Sequence, residues 1–145
     1  VIKNMNDNDL TEVYRISAVT LLIKNMKTSC SFYSQIPGFK LVYGGSSDDT
    51  FTTFEIGEQN PKDYLNLDLY DTTTNNYARK HFGRIIFHTE DVDKLYLYMK
   101  SNSNFSNIIS FEDEPRDASW GERYFHIREP DGYQLSFAMP IKSKT

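Results

Sequence analysis

Apolar residues recur along the chain in two patterns, one typical of strands and one typical of helices. The strand pattern is clearest where Leu65, Leu67 and Leu69 alternate with the polar Asn66 and Asp68. This period of two predicts a half-buried strand with one face in the core. Similar alternation, or a run of β-branched and aromatic residues, predicts strands at 16–23, 39–43, 50–56, 64–70, 83–89, 107–111, 122–127 and 133–138.

Two segments instead show the spacing of an amphipathic helix, and each follows a residue that favours the N-cap position. Asn25 precedes the first segment and Asp91 precedes the second. Pro37-Gly38 ends the first helix, and a Ser/Asn run at 101–104 ends the second. The apolar positions of the two helices are 26, 30, 33 and 36, and 92, 95, 96 and 99.

The two halves of the chain correspond to each other at a constant offset of 66 residues. Each half follows the order strand, helix, strand, strand, strand, and a repeat of this kind favours a fold built from two similar modules. The corresponding pairs include Ala18 with Arg84, Asn25 with Asp91, and Phe39 with Phe105.

This order of segments resembles the vicinal oxygen chelate superfamily, which includes glyoxalase I, bleomycin resistance proteins and extradiol dioxygenases. The residues that carry the resemblance are Phe32-Tyr33 and Gly38-Phe39 in the first half, and Gly83–Phe87, Glu90–Asp93 and the turn Glu129–Tyr133 in the second.

The resemblance implies an α+β fold in which tandem βαβββ repeats form a curved mixed sheet around a cavity. It covers one domain at residues 15–140, and two-fold dimers are common in the family. The divisions are an N-terminal arm at 1–14, a first module at 15–71, a linker at 72–82, a second module at 83–140 and a tail at 141–145.

The resemblance also indicates where a metal would be bound. Metal-dependent members use His, Gln or Glu at four places, which fall here on Ala18, Asn66, Arg84 and Ser136, with Asp68 as the next choice for the second. A methyl group has no lone pair, and a guanidinium is a permanent cation. Hydroxyl and amide oxygens are weak ligands without an anionic partner. We therefore expect no cofactor, and we expect the four positions to converge on one cavity.

Other polar residues share the predicted cavity face. Strand alternation places His88 on the same face as Arg84, and Tyr124 on the same face as His126. With Asp68, the two histidines could hold zinc or iron, so a divalent metal is the alternative. Arg84 itself is either an anchor for a carboxylate or phosphate, or the ion-pair partner of Asp68.

Trp120, the only tryptophan, stands in a loop that can form the rim of the cavity, where it could stack on an aromatic ligand. No catalytic residue is assigned, because a Ser/His/Asp triad is defined by geometry that a sequence does not show. The candidate ligand-binding residues are Asn66, Asp68, Arg84, His88, Trp120, Tyr124, His126 and Ser136.

Composition narrows the possible functions. The 145 residues carry a net charge of −4 with acids and bases mixed along the chain, whereas a nucleic-acid binder is expected to have a basic face. The longest apolar run, at 18–23, is far shorter than the roughly 20 residues that span a bilayer. The single cysteine, Cys30, excludes an internal disulfide framework and fits a reducing cytoplasm. We therefore expect a cytoplasmic protein that binds neither nucleic acid nor membrane.

The resemblance without its metal ligands favours binding over catalysis. The leading hypothesis is a bleomycin-resistance-like protein that holds a small organic molecule in its cavity, which requires no catalytic residue. The alternative is a glyoxalase-type lyase or isomerase, or a dioxygenase-like oxidoreductase, that uses a non-standard metal site or metal-free acid/base residues. A third hypothesis is a non-catalytic dimerising scaffold.

The first prediction concerns assembly. Each module presents open strand edges, and a cup closed by one chain leaves apolar surface exposed, so we expect a two-fold homodimer. Light scattering at micromolar concentration should return about twice the 16.9 kDa mass of the chain. A particle of monomer mass would contradict it.

Overall fold

The chain forms two βαβββ modules. The computed structural model describes residues 14–69 and 84–141, so the predicted linker and nearly all of the predicted arm and tail lie outside the described residues. The elements are β1 (Ala18–Ile23), α1 (Met26–Ser34), β2 (Phe39–Tyr43), β3 (Phe51–Ile56), β4 (Asp63–Leu69), β5 (Arg84–His88), α2 (Val92–Ser101), α3 (Ser103–Ser106), β6 (Ser110–Phe111), β7 (Arg116–Asp117), β8 (Glu122–Arg128) and β9 (Gln134–Pro140).

Both predicted N-cap residues begin a helix. The Asn25 side chain accepts a hydrogen bond from the backbone N–H of Thr28, and the Asp91 side chain accepts one from that of Lys94. Each bond satisfies a donor that the first turn of a helix leaves without a partner. The first strand and the helix of the second module both start 66 residues after their counterparts, so the repeat holds this far.

Beyond the second helix the two halves no longer correspond at an offset of 66 residues, so this part of the prediction is wrong. Asn102 caps a short extra helix, α3, by accepting from the N–H of Asn104. Phe105 therefore lies in α3, where its ring is fully buried against Phe32, and does not correspond to Phe39 at the start of β2. β6 is shorter than the predicted strand at 107–111, because the N–H groups of Asn107 and Ile108 donate back to carbonyls of α3.

The two sheets have the same strand order, which confirms the tandem repeat. The first sheet is ordered β1-β4-β3-β2 and the second β5-β9-β8-β6, with the unpredicted β7 also paired to β8. The first strand of each module pairs in parallel with the last, and the other pairs are antiparallel. Consequently β1 and β5 are both edge strands.

The helices cover one face of each sheet. The predicted alternation in β4 is confirmed, because Leu65 and Leu67 are buried while Asn66 and Asp68 are half-buried on the other face. Cys30 also lies in the core, and burial raises the pKa of its thiol above the ordinary value. Each sheet therefore keeps a second face, opposite its helix, that is free to build a site.

A turn of the second module makes several of the hydrogen bonds between the two modules. It connects β8 to β9 at residues 129–133, and we call it the cross-module turn. The Tyr33 hydroxyl of α1 donates to Glu129 Oε2 at 3.0 Å, and the Tyr133 hydroxyl donates to the Leu22 carbonyl of β1 at 2.8 Å. Hydrogen bonds between buried groups are costly to leave unmade, so these bonds hold the first module against the second.

Asp131 adds a second pair of contacts in the cross-module turn. Its carboxylate accepts from the backbone N–H of Lys24 at 2.9 Å and from the Ser29 hydroxyl at 3.1 Å. Both partners belong to the first module, near the start of α1. The cross-module turn thus supplies hydrogen-bond acceptors near the point where β1 ends and α1 begins.

Glu129 is the most perturbed acid of the turn. Burial, and then the neighbouring negative charge of Asp131, raise its pKa from 4.5 to about 7, although the hydrogen bonds from Tyr33 and from two backbone N–H groups act in the opposite direction. The folded protein therefore holds this proton more tightly than the unfolded chain does.

The second prediction follows from this raised pKa. The stability that protonated Glu129 contributes is fully present below the ordinary pKa of a glutamate carboxyl. It is lost as the pH rises through the raised pKa of Glu129 in the folded protein. The free energy of unfolding should fall between pH 5 and pH 8 by up to about 3 kcal/mol. Glu129→Gln should flatten this fall, as measured by urea unfolding at fixed pH.

Glu58→Gln is the matched control, because Glu58 is exposed and lies far from the cross-module turn in the chain. Its pH dependence should match that of the wild type. An equally steep fall in Glu129→Gln would show that Glu129 is not the titrating group.

Candidate functional site

The strand register arranges the face of the second sheet opposite α2 into three rows, each crossing β5, β9 and β8. Because successive side chains alternate between faces, every second residue of each strand contributes. The rows are Arg84, Gln134 and Arg128; Ile86, Ser136 and His126; and His88, Ala138 and Tyr124.

The first row is a chain of hydrogen bonds. Arg84 Nε donates to Gln134 Oε1 at 2.9 Å, and Gln134 Nε2 donates to Glu112 Oε1 at 2.7 Å. Arg128 Nε donates to the second oxygen of Glu112 at 2.9 Å. Burial alone would raise the pKa of Glu112, but the bonds from Gln134 and Arg128 hold it below the ordinary value. Glu112 is therefore a carboxylate that fixes Gln134, which in turn orients Arg84.

Arg84 is not the ion-pair partner of Asp68. Within residues 14–69 and 84–141 it forms no ion pair, and its Nε is held by the neutral Gln134. Asp68 stands in register with Leu22 and Phe51 on the first sheet. The two terminal nitrogens of the Arg84 guanidinium thus remain available for a ligand.

His88, at one end of the third row, contacts a carboxylate that the sequence analysis missed. His88 Nε2 lies 3.1 Å from Glu122 Oε2, and Trp120 Nε1 donates to Glu122 Oε1 at 3.1 Å. The small side chain of Ala138 lets His88 reach across β9. Glu122 could have been found from its alternation, because it stands two residues before Tyr124 on the same face.

Trp120 packs on this face but keeps most of its surface exposed. Its ring stacks on Tyr124 with centroids 5.9 Å apart, and Tyr124 in turn contacts the His126 ring at 4.9 Å. Trp120 is 70% exposed. It therefore presents an open aromatic surface beside the second sheet.

His126 occupies the middle row, and the pKa of its imidazole lies below the ordinary value. Burial, and then the nearby charges of Arg84 and Arg116, lower the pKa of its imidazole, although Asp113 and Glu112 oppose the shift. Its Nδ1 is buried and has no hydrogen-bond partner among the described residues. A buried nitrogen of this kind costs stability.

A cavity of about 620 Å³ lies between the two edge strands β1 and β5. Of the four positions expected to converge, only Ala18 and Arg84 line it, and His88 lines it beside them. The apolar part of the lining includes Ile36, Phe39, Ile85, Phe87, Leu95 and Phe137.

The register explains why the expected convergence is incomplete. Ala18 is level with Tyr64, and Arg84 is level with Gln134, so Asn66 and Ser136 lie two residues farther along their strands. The remaining candidates likewise do not line the cavity; these are Asp68, Trp120, Tyr124 and His126.

Asn66 is also engaged within its own sheet. Its Oδ1 accepts from the Thr53 hydroxyl at 2.7 Å, and its Nδ2 donates to Thr20 Oγ1 at 3.1 Å. Both contacts are made across neighbouring strands. Asn66 is therefore a sheet residue in this structure, with its side-chain groups already paired.

The donor set does not fit the metal that the family's ligand positions would hold. Those positions carry a methyl, an amide, a guanidinium and a hydroxyl group, as the sequence analysis found. His88, His126 and Asp68 form no substitute: over the described part of the chain, no three His, Cys, Asp or Glu side chains are grouped so that they could hold an ion. The polar groups discussed for the cavity are therefore those of Arg84, His88 and their partners.

Comparison with known proteins gives a family and a fold. A family model described as Glyoxalase/Bleomycin resistance protein/Dioxygenase superfamily matches residues 15–137. No curated protein matches the sequence significantly.

Across the described residues, no helix is long and apolar enough to cross a membrane.

Solved structures share this fold at low sequence identity. A member of the same superfamily from Sphaerobacter thermophilus DSM 20745 is 19% identical, with a TM-score of 0.60, over 87% of this chain and 97% of that chain. TnmS3, an antibiotic binding protein from Streptomyces sp. CB03234, is 17% identical, with a TM-score of 0.62, over 88% and 97%. A glyoxalase/bleomycin resistance protein from the same Streptomyces strain is 17% identical, with a TM-score of 0.58, over 85% and 98%.

The third prediction concerns His126. Because the pKa of His126 is lowered in the folded protein, the unfolded chain binds a proton there at a higher pH than the folded protein does. The folded protein therefore loses stability as the pH falls below the ordinary pKa of histidine. His126→Phe removes both this loss and the unpartnered nitrogen. We expect it to be neutral or stabilising by about 1 kcal/mol at pH 7, with an advantage over the wild type that grows down to pH 5.

Chemical unfolding at several pH values measures both effects. Both profiles contain the contribution of Glu129, so the effect of His126 is read from the difference between the variant and the wild type, which should grow toward pH 5. A loss of more than about 1 kcal/mol in His126→Phe at pH 7 would show instead that Nδ1 has a stabilising partner.

Proposed function

Because the chain belongs to the Glyoxalase/Bleomycin resistance protein/Dioxygenase superfamily, we propose that it binds a small organic acid in the cavity between β1 and β5. The observation that carries the proposal is Arg84. Arg84 lines the cavity, and Gln134 holds its guanidinium through Nε only. The terminal nitrogens form a planar fork that matches a carboxylate in a bidentate arrangement.

The rest of the cavity suits a ligand with an apolar body. Its volume of about 620 Å³ falls within the usual range for sites that take drug-sized molecules. Ile36, Phe39 and Phe137 contribute apolar lining around the charged end. Burial of an apolar body supplies affinity, while the fixed cation selects for an anion.

A binding role is also in keeping with one of the similar structures. TnmS3, which shares the fold, is an antibiotic binding protein. Binding by sequestration requires shape and polar contacts but no reacting group. The departure from the family's metal ligands at Ala18 and Arg84 therefore leaves this role intact.

The second candidate function is acid/base catalysis, and it rests on the pair formed by His88 and Glu122. A carboxylate oxygen 3.1 Å from an imidazole nitrogen orients the ring. His88 lines the cavity on the same strand face as Arg84. An isomerase or lyase acting on an acid held by Arg84 would use this pair to move a proton.

The fourth prediction tests the anchor. Saturation-transfer NMR should detect binding of 2-naphthoate, and much weaker binding of 2-naphthamide, because only the acid pairs with Arg84. Arg84→Leu should weaken 2-naphthoate binding by roughly tenfold or more, and Arg84→Lys should restore it only in part. The melting temperature should change by less than about 3 °C, since Arg84 bonds only a neutral partner and lies open to the cavity.

Lys94→Leu is the control for net charge, because it removes one positive charge from the exposed surface of α2. It should leave 2-naphthoate binding unchanged. Equal binding of the acid and the amide, or unchanged binding in Arg84→Leu, would overturn the proposal. Loss of turnover in His88→Gln with retained binding would favour the catalytic candidate.

A further inference from the structure

The walls of the cavity are strand edges rather than strand faces. Side chains of a strand face recur at every second residue. Here the lining includes the consecutive residues 16–19, which lead into β1, and the consecutive residues 84–89, which comprise β5 and the residue after it. The backbone of both edge strands therefore borders the cavity.

The hydrogen bonds of β5 show which of its backbone groups point into the cavity. The N–H of Thr89 donates to the carbonyl of Ala138 in β9. Backbone groups of successive residues point to opposite sides of a strand, so Ile85 and Phe87 also point toward β9. The N–H and C=O groups of Ile86 and His88 consequently point away from the sheet.

The same reasoning applies to β1. The carbonyl of Ser17 accepts from the N–H of Tyr64 in β4, so the backbone groups of Val19 point toward β4 as well. Those of Ala18 point to the open side, where Ala18 lines the cavity. Both edges thus present backbone donors and acceptors to the same space.

These open-edge groups have no backbone partner within the described ranges. β5 pairs only with β9, and β1 only with β4. Ile86 and His88 are exposed, so water can satisfy these groups in the free protein, and a ligand that displaces this water has to offer donors and acceptors of its own. An unpaired edge beside a cavity is therefore suited to a ligand that itself carries amide groups.

Arg84 gives this edge a direction. It stands at the first residue of β5 and lines the cavity, and Gln134 holds only its Nε. A carboxylate bound there places the carboxyl end of a ligand chain at the beginning of β5. A chain that continues along the edge toward His88 then runs antiparallel to β5, the arrangement in which paired residues exchange two hydrogen bonds.

We infer that the ligand class is a short, extended, peptide-like acid whose amide groups pair with the open edge of β5 at Ile86 and His88 while its carboxylate binds Arg84. This inference rests on the proposed function and names its ligand. The length fits, because a chain of four residues extends at most about 14 Å, close to the roughly 16 Å of a five-residue strand.

The fifth prediction uses two matched pools of acetylated tetrapeptides, one with a free carboxylate and one with a terminal amide. Equilibrium dialysis followed by mass spectrometry should retain members of the acid pool only. Methylating alternate amide nitrogens of a retained peptide should weaken binding roughly tenfold in one register and little in the other, since only alternate N–H groups face β5.

Hydrogen exchange on the wild-type protein provides a direct readout. A retained peptide should slow exchange at the amides of Ile86 and His88, while Ile85 and Phe87, which already face β9, serve as internal controls. Ile86→Pro removes one open-edge donor at a position where a strand edge tolerates proline, and it should weaken binding of the peptide. Ile86→Val, which keeps the donor, should not.

The outcomes separate this inference from the proposed function. If 2-naphthoate binds through Arg84 but no peptide acid is retained, or if methylation in either register has the same effect, the peptide inference is overturned and the proposed function stands. If neither 2-naphthoate nor any peptide acid binds, both are overturned. Slowed exchange confined to Ile85 and Phe87 would also reject pairing at the open edge.

Discussion

The position of the two modules depends on the cross-module turn, because its acidic groups find their partners in the other module. Glu129 receives the hydroxyl of Tyr33, and Asp131 receives a backbone N–H and a hydroxyl near the start of α1. Losing one partner would leave a buried acceptor unsatisfied, which costs more than the bond itself contributes. The turn thereby sets where β1 stands relative to β5, and the cavity is the space between them.

The cavity takes its chemistry from the ends of strands that the rest of the fold leaves unpaired. Gln134 orients Arg84 from the neighbouring strand, and Glu112 in turn fixes Gln134. His88 meets Glu122 at the opposite end of the same face. A cation, an apolar lining and open backbone groups therefore meet in one place.

Sequence reasoning succeeded where a local rule decides the structure. The N-caps at Asn25 and Asp91, and the alternation around Leu65, depend on neighbours within a few residues. It failed at Phe105, whose helix depends on burial against the distant Phe32. Family spacing brought Asn66 to the cavity, whereas strand register placed it two residues away from the level of Ala18.

By itself the sequence determined the two-module α+β fold and the face on which each strand residue lies, because periodicity is a local property. Only the tertiary structure decided that Arg84 pairs with Gln134 rather than Asp68, and that Glu122 joins His88. Those contacts cross between strands far apart in the chain. Register and strand order set them, and neither can be read from spacing along one segment.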